Sequence, residues 1–474
     1  MRHFGRSFAG IYCGSAPGLA RLSGLLLGLL CLLLLQACGG RQAHQPHEAG
    51  LPSWMGTVED LRRFPQDLNG YAARAGKDKE LFSAAEQSVQ VARFMRIYFG
   101  PWEMTKTSVS RRDAAAIFHR ARGFKYDDVR WTQEEWDAIS RNAAMGAFPS
   151  RSTWAITVRA TDLREMPTSQ TRFAEPTPDP RANPFDYFQY SLLPVGTPLL
   201  IAHTTRDGRW HFVECPIAAG WVAADDVAAV DAAFAHTYRD GPFAALVRDP
   251  VRLVTAGGTT ATAGIGALLP LRNDNQNGQD DMRVLLPQRG PDGMARTEAV
   301  TLAAADAAPW PLPPTPGNIA RLGNRMMGQH YGWGGMFGLR DCSAMTRDLL
   351  APFGIWLPRN SVAQARTGSV LPLEGMSTAE KEAAILRYGV PFLSLVGMRG
   401  HITLYVGNYR GRPAILHDVW GVRVVQDGDD DARLVLGRVV ITSITPGAEL
   451  PNLYRTVTFA DRLRTLSTPA DTLR

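Results

Sequence analysis

Apolar positions recur at helical spacing early in the chain and at strand spacing later. Within residues 51–150, Ser83 to Met95 and Arg111 to Arg122 carry apolar side chains at a period near 3.6, which predicts helices. Tyr98-Phe99-Gly100-Pro101-Trp102 breaks them as a turn. From 151 the pattern shortens: Thr153 to Ala160, Pro198 to His203, Trp210 to Val213 and Gly220 to Val222 read as strands, separated by turns such as Arg206-Asp207-Gly208. A fainter set, Val251 to Val254, Ile265 to Leu271 and Met282 to Leu286, follows over 236–312. Residues 174–184 form a proline-rich excursion, and Trp310-Pro311-Leu312-Pro313-Pro314-Thr315-Pro316-Gly317 reads as a stiff linker. Within 313–474, a helix capped by Asn318 runs to Met327, and another starts at Asp341 or Cys342 and runs to about Leu350. Two strands come after, His401 to Val406 and Pro413 to Leu416, joined by Tyr409-Arg410-Gly411-Arg412. Helices before strands predict an α+β domain, last of several in a chain of 474 residues.

The N-terminus reads as an export signal. A basic region ends at Arg21, and the apolar run Leu25 to Leu35 is too short for a stable membrane span. Leu35-Gln36-Ala37-Cys38-Gly39-Gly40 resembles a bacterial lipobox. It predicts removal of residues 1–37, lipidation of Cys38, a tether over 38–50, and a periplasmic lipoprotein anchored in the outer membrane. The removed segment carries Arg2, Arg6 and Arg21 and no acid, so the formal charge falls from +6 to +3, too mild to argue nucleic-acid binding. Cys13 and Cys31 leave with it, so Cys215 and Cys342 are the thiols that remain. Cys215 lies in the strand pattern around Trp210-His211-Phe212-Val213 and reads as a small buried hydrophobe; Cys342 reads as a free thiol. Asn273-Asp274-Asn275-Gln276-Asn277-Gly278 opens like a calcium loop, but the required acid would fall on Val284, so a polar hairpin turn is the reading.

The chemistry concentrates at Tyr331-Gly332-Trp333-Gly334-Gly335 and, shortly after it, Asp341-Cys342-Ser343. A glycine-rich loop feeding a helix places Cys342 at a helix N-terminus, where unpaired N–H groups favour a thiolate. A base must hydrogen-bond the sulfur and a third group must orient the base. His401 begins a strand whose alternation puts His401, Thr403 and Tyr405 on one face. The next strand ends at His417-Asp418, and only one of these can reach the imidazole. His417 is preferred because Ile415 would share its face; Asp418 is the alternative. The carboxylate of Asp341 suits an ammonium partner, a helix cap, or both.

Together these residues resemble the NlpC/P60 family of papain-like cell-wall peptidases over about 318–420. Gly196-Thr197-Pro198, Asp207-Gly208, Trp210 and Gly220-Trp221-Val222 resemble a bacterial SH3 barrel over 151–235, with a second over 236–312. The layout resembles that of γ-D-glutamyl-diamino-acid endopeptidases. This resemblance implies a multidomain fold: a helical N-terminal region, two small SH3-like barrels and a C-terminal α+β papain-like domain. It implies a peptidoglycan stem peptide as substrate and no cofactor or metal. The matching nucleophile is Cys342, the base His401, the orienting residue His417 and the oxyanion partner Tyr331. Asp341 and Ser343 match residues that grip a free N-terminal L-alanine, and Trp333 lines that pocket. Leu357-Pro358-Arg359-Asn360-Ser361 resembles a binding loop in which Ser361 contacts the peptide, with Asn360 where the family often has Asp. The first barrel would wall the site, with Tyr187 and Tyr190 as candidates. An amidase or acyltransferase on a similar scaffold, and a wall-binding scaffold with a dead peptidase domain, are the competing readings.

Overall fold

The computed structural model describes residues 54–177, 183–272, 281–426, 428 and 432–470. The export signal, Cys38, the tether and the Asn273–Gly278 turn lie outside the described residues. No described helix is long and apolar enough to cross a membrane.

The N-terminal region is helical, led by α1 (Ala84–Tyr98) and α2 (Gln133–Ala143). Each begins with a reciprocal capping box, Ser83 with Glu86 and Thr132 with Glu135, which satisfies N–H groups the helix cannot pair itself. The helix expected over Arg111–Arg122 is shorter: it ends at Ala115 and tightens into a 3₁₀ turn, Ala116–His119. There Ile117 packs with Trp131 and Trp136, and the Trp136 indole donates to the Phe118 carbonyl at 3.1 Å, so side-chain packing claims the backbone that a longer helix would use.

Two β-domains follow. The first contains β1 (Thr153–Thr157), β2 (Thr161–Arg164), β3 (Gln189–Leu193), β4 (Pro198–Thr204), β5 (Trp210–Glu214), β6 (Ala219–Ala223) and β7 (Val227–Ala229), in the order β3-β2-β6-β5-β4-β1-β7. Leu163, Leu199, Val213 and Val222 fill its core, and Cys215 is buried there with its Sγ donating to the Ala218 carbonyl. The second has β8 (Phe243–Leu246), β9 (Val251–Val254), β10 (Thr260–Ala263), β11 (Leu268–Pro270), β12 (Met282–Arg289), β13 (Ala295–Leu302) and β14 (Ala307–Trp310). These form three small sheets around a core of their own that includes Leu253, Leu269, Leu286 and Val300.

The expected linker is packed rather than free. Trp310 belongs to β14 and its ring lies 5.3 Å from Phe94, while Leu312 is buried. Thr315, not Asn318, caps the next helix, α3 (Pro316–Met326), accepting from the Asn318 N–H; Pro316 then occupies the first turn, where its missing N–H costs nothing.

The C-terminal domain sets α3 and α4 (Cys342–Leu350) against one face of an antiparallel sheet and α5 (Thr378–Tyr388) against the other. Its strands are β15 (Ser369–Pro372), β16 (Leu395–Met398), β17 (His401–Tyr409), β18 (Arg412–Arg423), β19 (Arg433–Thr442) and β20 (Leu463–Thr468), ordered β15-β20-β16-β17-β18-β19. Ile319, Leu322, Met345 and Leu349 bury one face with Ile402, Leu404 and Leu416; Ile385 covers Tyr405 and Ile415 on the other. The first of these cores also takes in Leu68, Tyr71, Phe94 and Trp102 from the N-terminal region and Phe243 from the second β-domain. Residues from the N-terminal region, both β-domains and the C-terminal domain therefore meet in one apolar cluster, beside the separate cores of the β-domains.

Candidate active site

Cys342 is the first residue of α4, and Asp341 is its N-cap, accepting from the N–H groups of Ser343 and Ala344. The preceding loop is fixed from both ends. The Gly334 N–H donates to Asp341 Oδ2 at 3.0 Å. Gly334 and Gly335 have φ of 61° and 90°, and a Cβ on either would stand 2.5 Å from β3 of the first β-domain, at the Gln189 carbonyl and Leu192 respectively. Only glycine combines that backbone with that approach. Gln189 adds a donated bond from Nε2 to the Gly334 carbonyl. From the second β-domain Asp249 grips Arg340, one residue before the cap, at 2.7 Å.

Asp341 is also paired. Arg359 donates Nη2 to its Oδ2 at 2.6 Å and Nη1 to its Oδ1 at 3.0 Å, the fork geometry that suits a carboxylate. Arg359 reaches on to Ser343 Oγ and, through Nε, to Ser191 Oγ of the first β-domain. Burial alone would raise the Asp341 carboxyl; the guanidinium and the cap N–H groups outweigh it and hold the group at about 2.

Burial pushes the Cys342 thiol up, and the adjacent Asp341 charge pushes it the same way; the backbone N–H of Ile402 opposes both. The helix terminus thus does not by itself leave a resting thiolate, contrary to the sequence expectation, because the sulfur is buried beside an anion. A proton acceptor has to be supplied, and Ile402 is the neighbour of His401.

Hydrogen-bond direction prepares that acceptor. Thr442 Oγ1 donates to the Ser443 carbonyl at 2.7 Å, and a carbonyl can only accept. Toward His417 Nε2, 3.0 Å away, the hydroxyl must then accept, so His417 carries its proton on Nε2 and leaves Nδ1 bare. His417 Nδ1 lies 2.9 Å from His401 Nε2, so His401 donates there and its own Nδ1 keeps a free lone pair. Burial holds both imidazoles neutral. It lowers His401 to about 3, with the Arg462 charge acting in the same direction, and lowers His417 well below its ordinary range.

Register explains which neighbour orients His401. Leu404 pairs with Leu416 and Tyr405 with Ile415, so His417 shares the face of His401 and Thr403 while Asp418 shares that of Ile402. Asp418 is fully buried, and neither carboxylate oxygen has a hydrogen-bond partner. Burial, and then the charge of Asp341, push it well above the usual carboxylate range.

Three family profiles match the chain: the NLPC_P60 stabilising domain, N term, over residues 27–148, an SH3 domain of SH3b1 type over 172–223, and the NlpC/P60 family over 328–425. The last span contains the cysteine, both histidines and the glycine loop. The C-terminal domain belongs to the NlpC/P60 family. The full layout is similar to that of an NlpC/P60 endopeptidase from Photobacterium damselae subsp. piscicida: 22% identity, 89% of this chain and 100% of that chain covered, TM-score 0.77. An NlpC/P60 family protein from Bacillus cereus ATCC 10987 is 16% identical over 67% of this chain and 100% of its own, with TM-score 0.46. No curated protein matches the sequence.

In this NlpC/P60 domain Tyr331, Asp341 and Ser343 gather at Cys342, whose backbone partner Ile402 adjoins the His401–His417 pair. Tyr331 is buried and feels the charge of Cys342; burial raises its phenol far enough that it stays a neutral donor. Trp333 and Tyr331 meet Phe185 of the first β-domain at 5.3 and 6.3 Å, and Phe185 and Tyr331 both meet Trp420. The aromatic wall is therefore Phe185. Tyr190 donates its hydroxyl to Glu165 and Tyr187 lies beneath Arg172, both within the first β-domain. Asp341 and Ser343, expected to face a substrate ammonium, already hold Arg359. Ser361 starts a short helix, Ser361–Gln364, whose N-cap is Asn360, accepting from the Ala363 N–H at 2.8 Å; an amide serves that purpose as well as a carboxylate. Sequence reasoning missed Thr442 and Phe185, and assigned no role to Arg359 within the motif it quoted.

Proposed function

We propose that the chain is a cysteine endopeptidase that hydrolyses the γ-D-glutamyl–diamino acid bond of peptidoglycan stem peptides, with preference for those carrying a free N-terminal L-alanine. The observation that carries the reading is the chain Ser443 carbonyl–Thr442–His417–His401, which bares His401 Nδ1 on the strand that also supplies the Ile402 N–H to Cys342. The Cys342 proton moves to His401 Nδ1 as the sulfur adds to the γ-carbonyl carbon. Tyr331, still protonated, donates to the oxyanion. The tetrahedral adduct collapses as His401 returns its proton to the leaving amine. Water, deprotonated by His401, then cleaves the thioester, restoring the thiol and releasing the γ-D-glutamyl carboxylate.

Asp341 would share its charge between Arg359 and the substrate ammonium, which favours an open N-terminus. The lipobox resemblance supports a cell-envelope location, tested by palmitate labelling of the protein and of Cys38→Ala. Mass spectrometry of products from L-Ala-γ-D-Glu-diaminopimelate and an N-acetylated copy, with Cys342→Ala as control, tests the reaction. Release of diaminopimelate from the open peptide alone is expected. Equal cleavage of both would remove the amine from recognition, and no cleavage of either would end the peptidase reading.

A further inference from the structure

At the end of β17 remote from His401 the surface dips into a cavity of about 550 Å³. The short helix Asn69–Ala75 of the N-terminal region gives it Tyr71 and Arg74; β17 and the β17–β18 turn give it Tyr405, Asn408, Tyr409 and Arg410. No acidic residue lines it among the described residues. The length of β17 (His401–Tyr409) puts its Tyr409 end roughly 25 Å from His401. The Arg74 guanidinium lies 4.8 Å over the Tyr71 ring and 5.7 Å over that of Tyr409, and the Arg410 guanidinium lies 5.4 Å over Tyr409. Neither arginine has an ion pair or a side-chain hydrogen bond among the described residues, so the rings hold the cations while their N–H groups stay free to donate. Arg412, just beyond the turn, differs: Glu382 takes it at 2.7 Å.

The tyrosines add donors that the protein leaves unused. Tyr71 is 1% exposed, and its hydroxyl is buried with no hydrogen-bond partner. Tyr405 is 2% exposed and makes no side-chain hydrogen bond among the described residues. Burial raises both phenols, Tyr405 to about 12, so both keep their protons at neutral pH. Arg410 also stands where an arginine is costly. Its φ is 51°, followed by Gly411 at 82°, a pair of conformations that asparagine and glycine adopt with less strain, so the turn alone does not account for the side chain. Asn408 supports that turn by accepting the Gly411 N–H on Oδ1 at 2.8 Å. Two guanidinium groups and two phenols from separate segments thus form a set of donors around one space. A carboxylate offers two oxygens in a plane, whereas a phosphate offers oxygens in several directions and up to two charges. The volume is in the range that encloses a small molecule rather than a lone ion. We propose that this cavity binds a phosphate ester, with Arg74 and Arg410 on the phosphate and Tyr405 donating to it. The site is independent of the peptidase reading. A ligand held there would join the N-terminal region to the peptidase domain.

The test is calorimetric titration of the full chain with three probes: glycerol 3-phosphate, dihexanoylphosphatidylglycerol below its micelle threshold, and acetate. Saturable binding of at least one phosphate ester is expected, with acetate about tenfold weaker or more. The ester that binds more tightly names the source, a soluble phosphate ester or a lipid headgroup. Its dissociation constant should rise about tenfold or more in Arg74→Gln/Arg410→Gln, the scale of losing a charged hydrogen-bonded contact, and about threefold or more in Tyr405→Phe. The thermal midpoint of the wild type should climb with ester concentration and that of the double variant should not. Binding of neither ester, acetate binding as tightly as the esters, or affinities unchanged in the double variant would overturn the proposal. Both arginines are exposed, so the double variant should fold; if it does not, Tyr405→Phe, which keeps the ring, decides in its place, and an unchanged affinity there overturns the proposal.

Discussion

The two buried carboxylates near Cys342, Asp341 and Asp418, are held on opposite plans. On the Asp341 side the protein supplies both members of each charge pair: Arg359 fills the carboxylate, and Gln189, Ser191 and Asp249 from two β-domains hold the loop that carries it. At Asp418 neither carboxylate oxygen receives a hydrogen bond among the described residues. A charge whose partner is built in sets geometry; a buried carboxyl without one favours its neutral form. The Asp341 flank therefore reads as positioning machinery, although the sequence alone assigned recognition to it.

The comparison can be broken at several points. Cys342→Ala should remove hydrolysis altogether, a loss of at least about 10⁴-fold by product analysis, while leaving the Asp341–Arg359 pair and peptide binding intact. His417→Ala should lower kcat by about 10²-fold, because His401 loses the partner that keeps Nδ1 bare. Thr442→Val should cost about tenfold in kcat with little change in KM, since His417 can then adopt either tautomer; Thr442→Ser should restore the rate, which a packing role for the methyl group would not allow. Arg359→Ala should destabilise the protein by about 3–5 kcal/mol in denaturant unfolding, because it strands a buried carboxylate, and Asp341→Asn in the same chain should recover part of the loss.

The smallest effect concerns the two buried carboxylates. Asp341, held at about 2, contributes stability that is full above pH ~4 and is lost as pH falls toward 2. Asp418, raised by burial, works in the other sense: its contribution is full below pH ~4 and declines as pH rises toward its folded pKa. Asp418→Asn should therefore be more stable than wild type at neutral pH by about 1 kcal/mol or more, with the two curves converging in acid.

What was legible in the sequence was local. The glycine run, the cysteine at a helix start and the alternation around His401 each lie within a few residues, and the choice of His417 over Asp418 needed only strand parity. What was illegible joins distant segments. Thr442 meets His417 across neighbouring strands, and nothing around it marks a hydroxyl whose proton is committed to a carbonyl. Arg359 was visible as a letter, but its grip on Asp341 depends on a turn bringing 359 back over the start of α4. Phe185 follows a proline-rich stretch that gave no hint of contact with Trp333. The boundary drawn at residue 150 likewise hid a core shared by the N-terminal helices and α3.

Gly334 and Gly335 lie against β3 so closely that neither position can accept a methyl group without moving a strand of another domain. The active-site loop is thus moulded by a neighbour rather than by its own fold. In a chimaera that kept this peptidase and exchanged the SH3 domain, the incoming strand would have to reproduce the path of Gln189–Leu192 to within a fraction of an ångström. Gene fusion at the apparent domain boundary would be simple to draw and hard to make active.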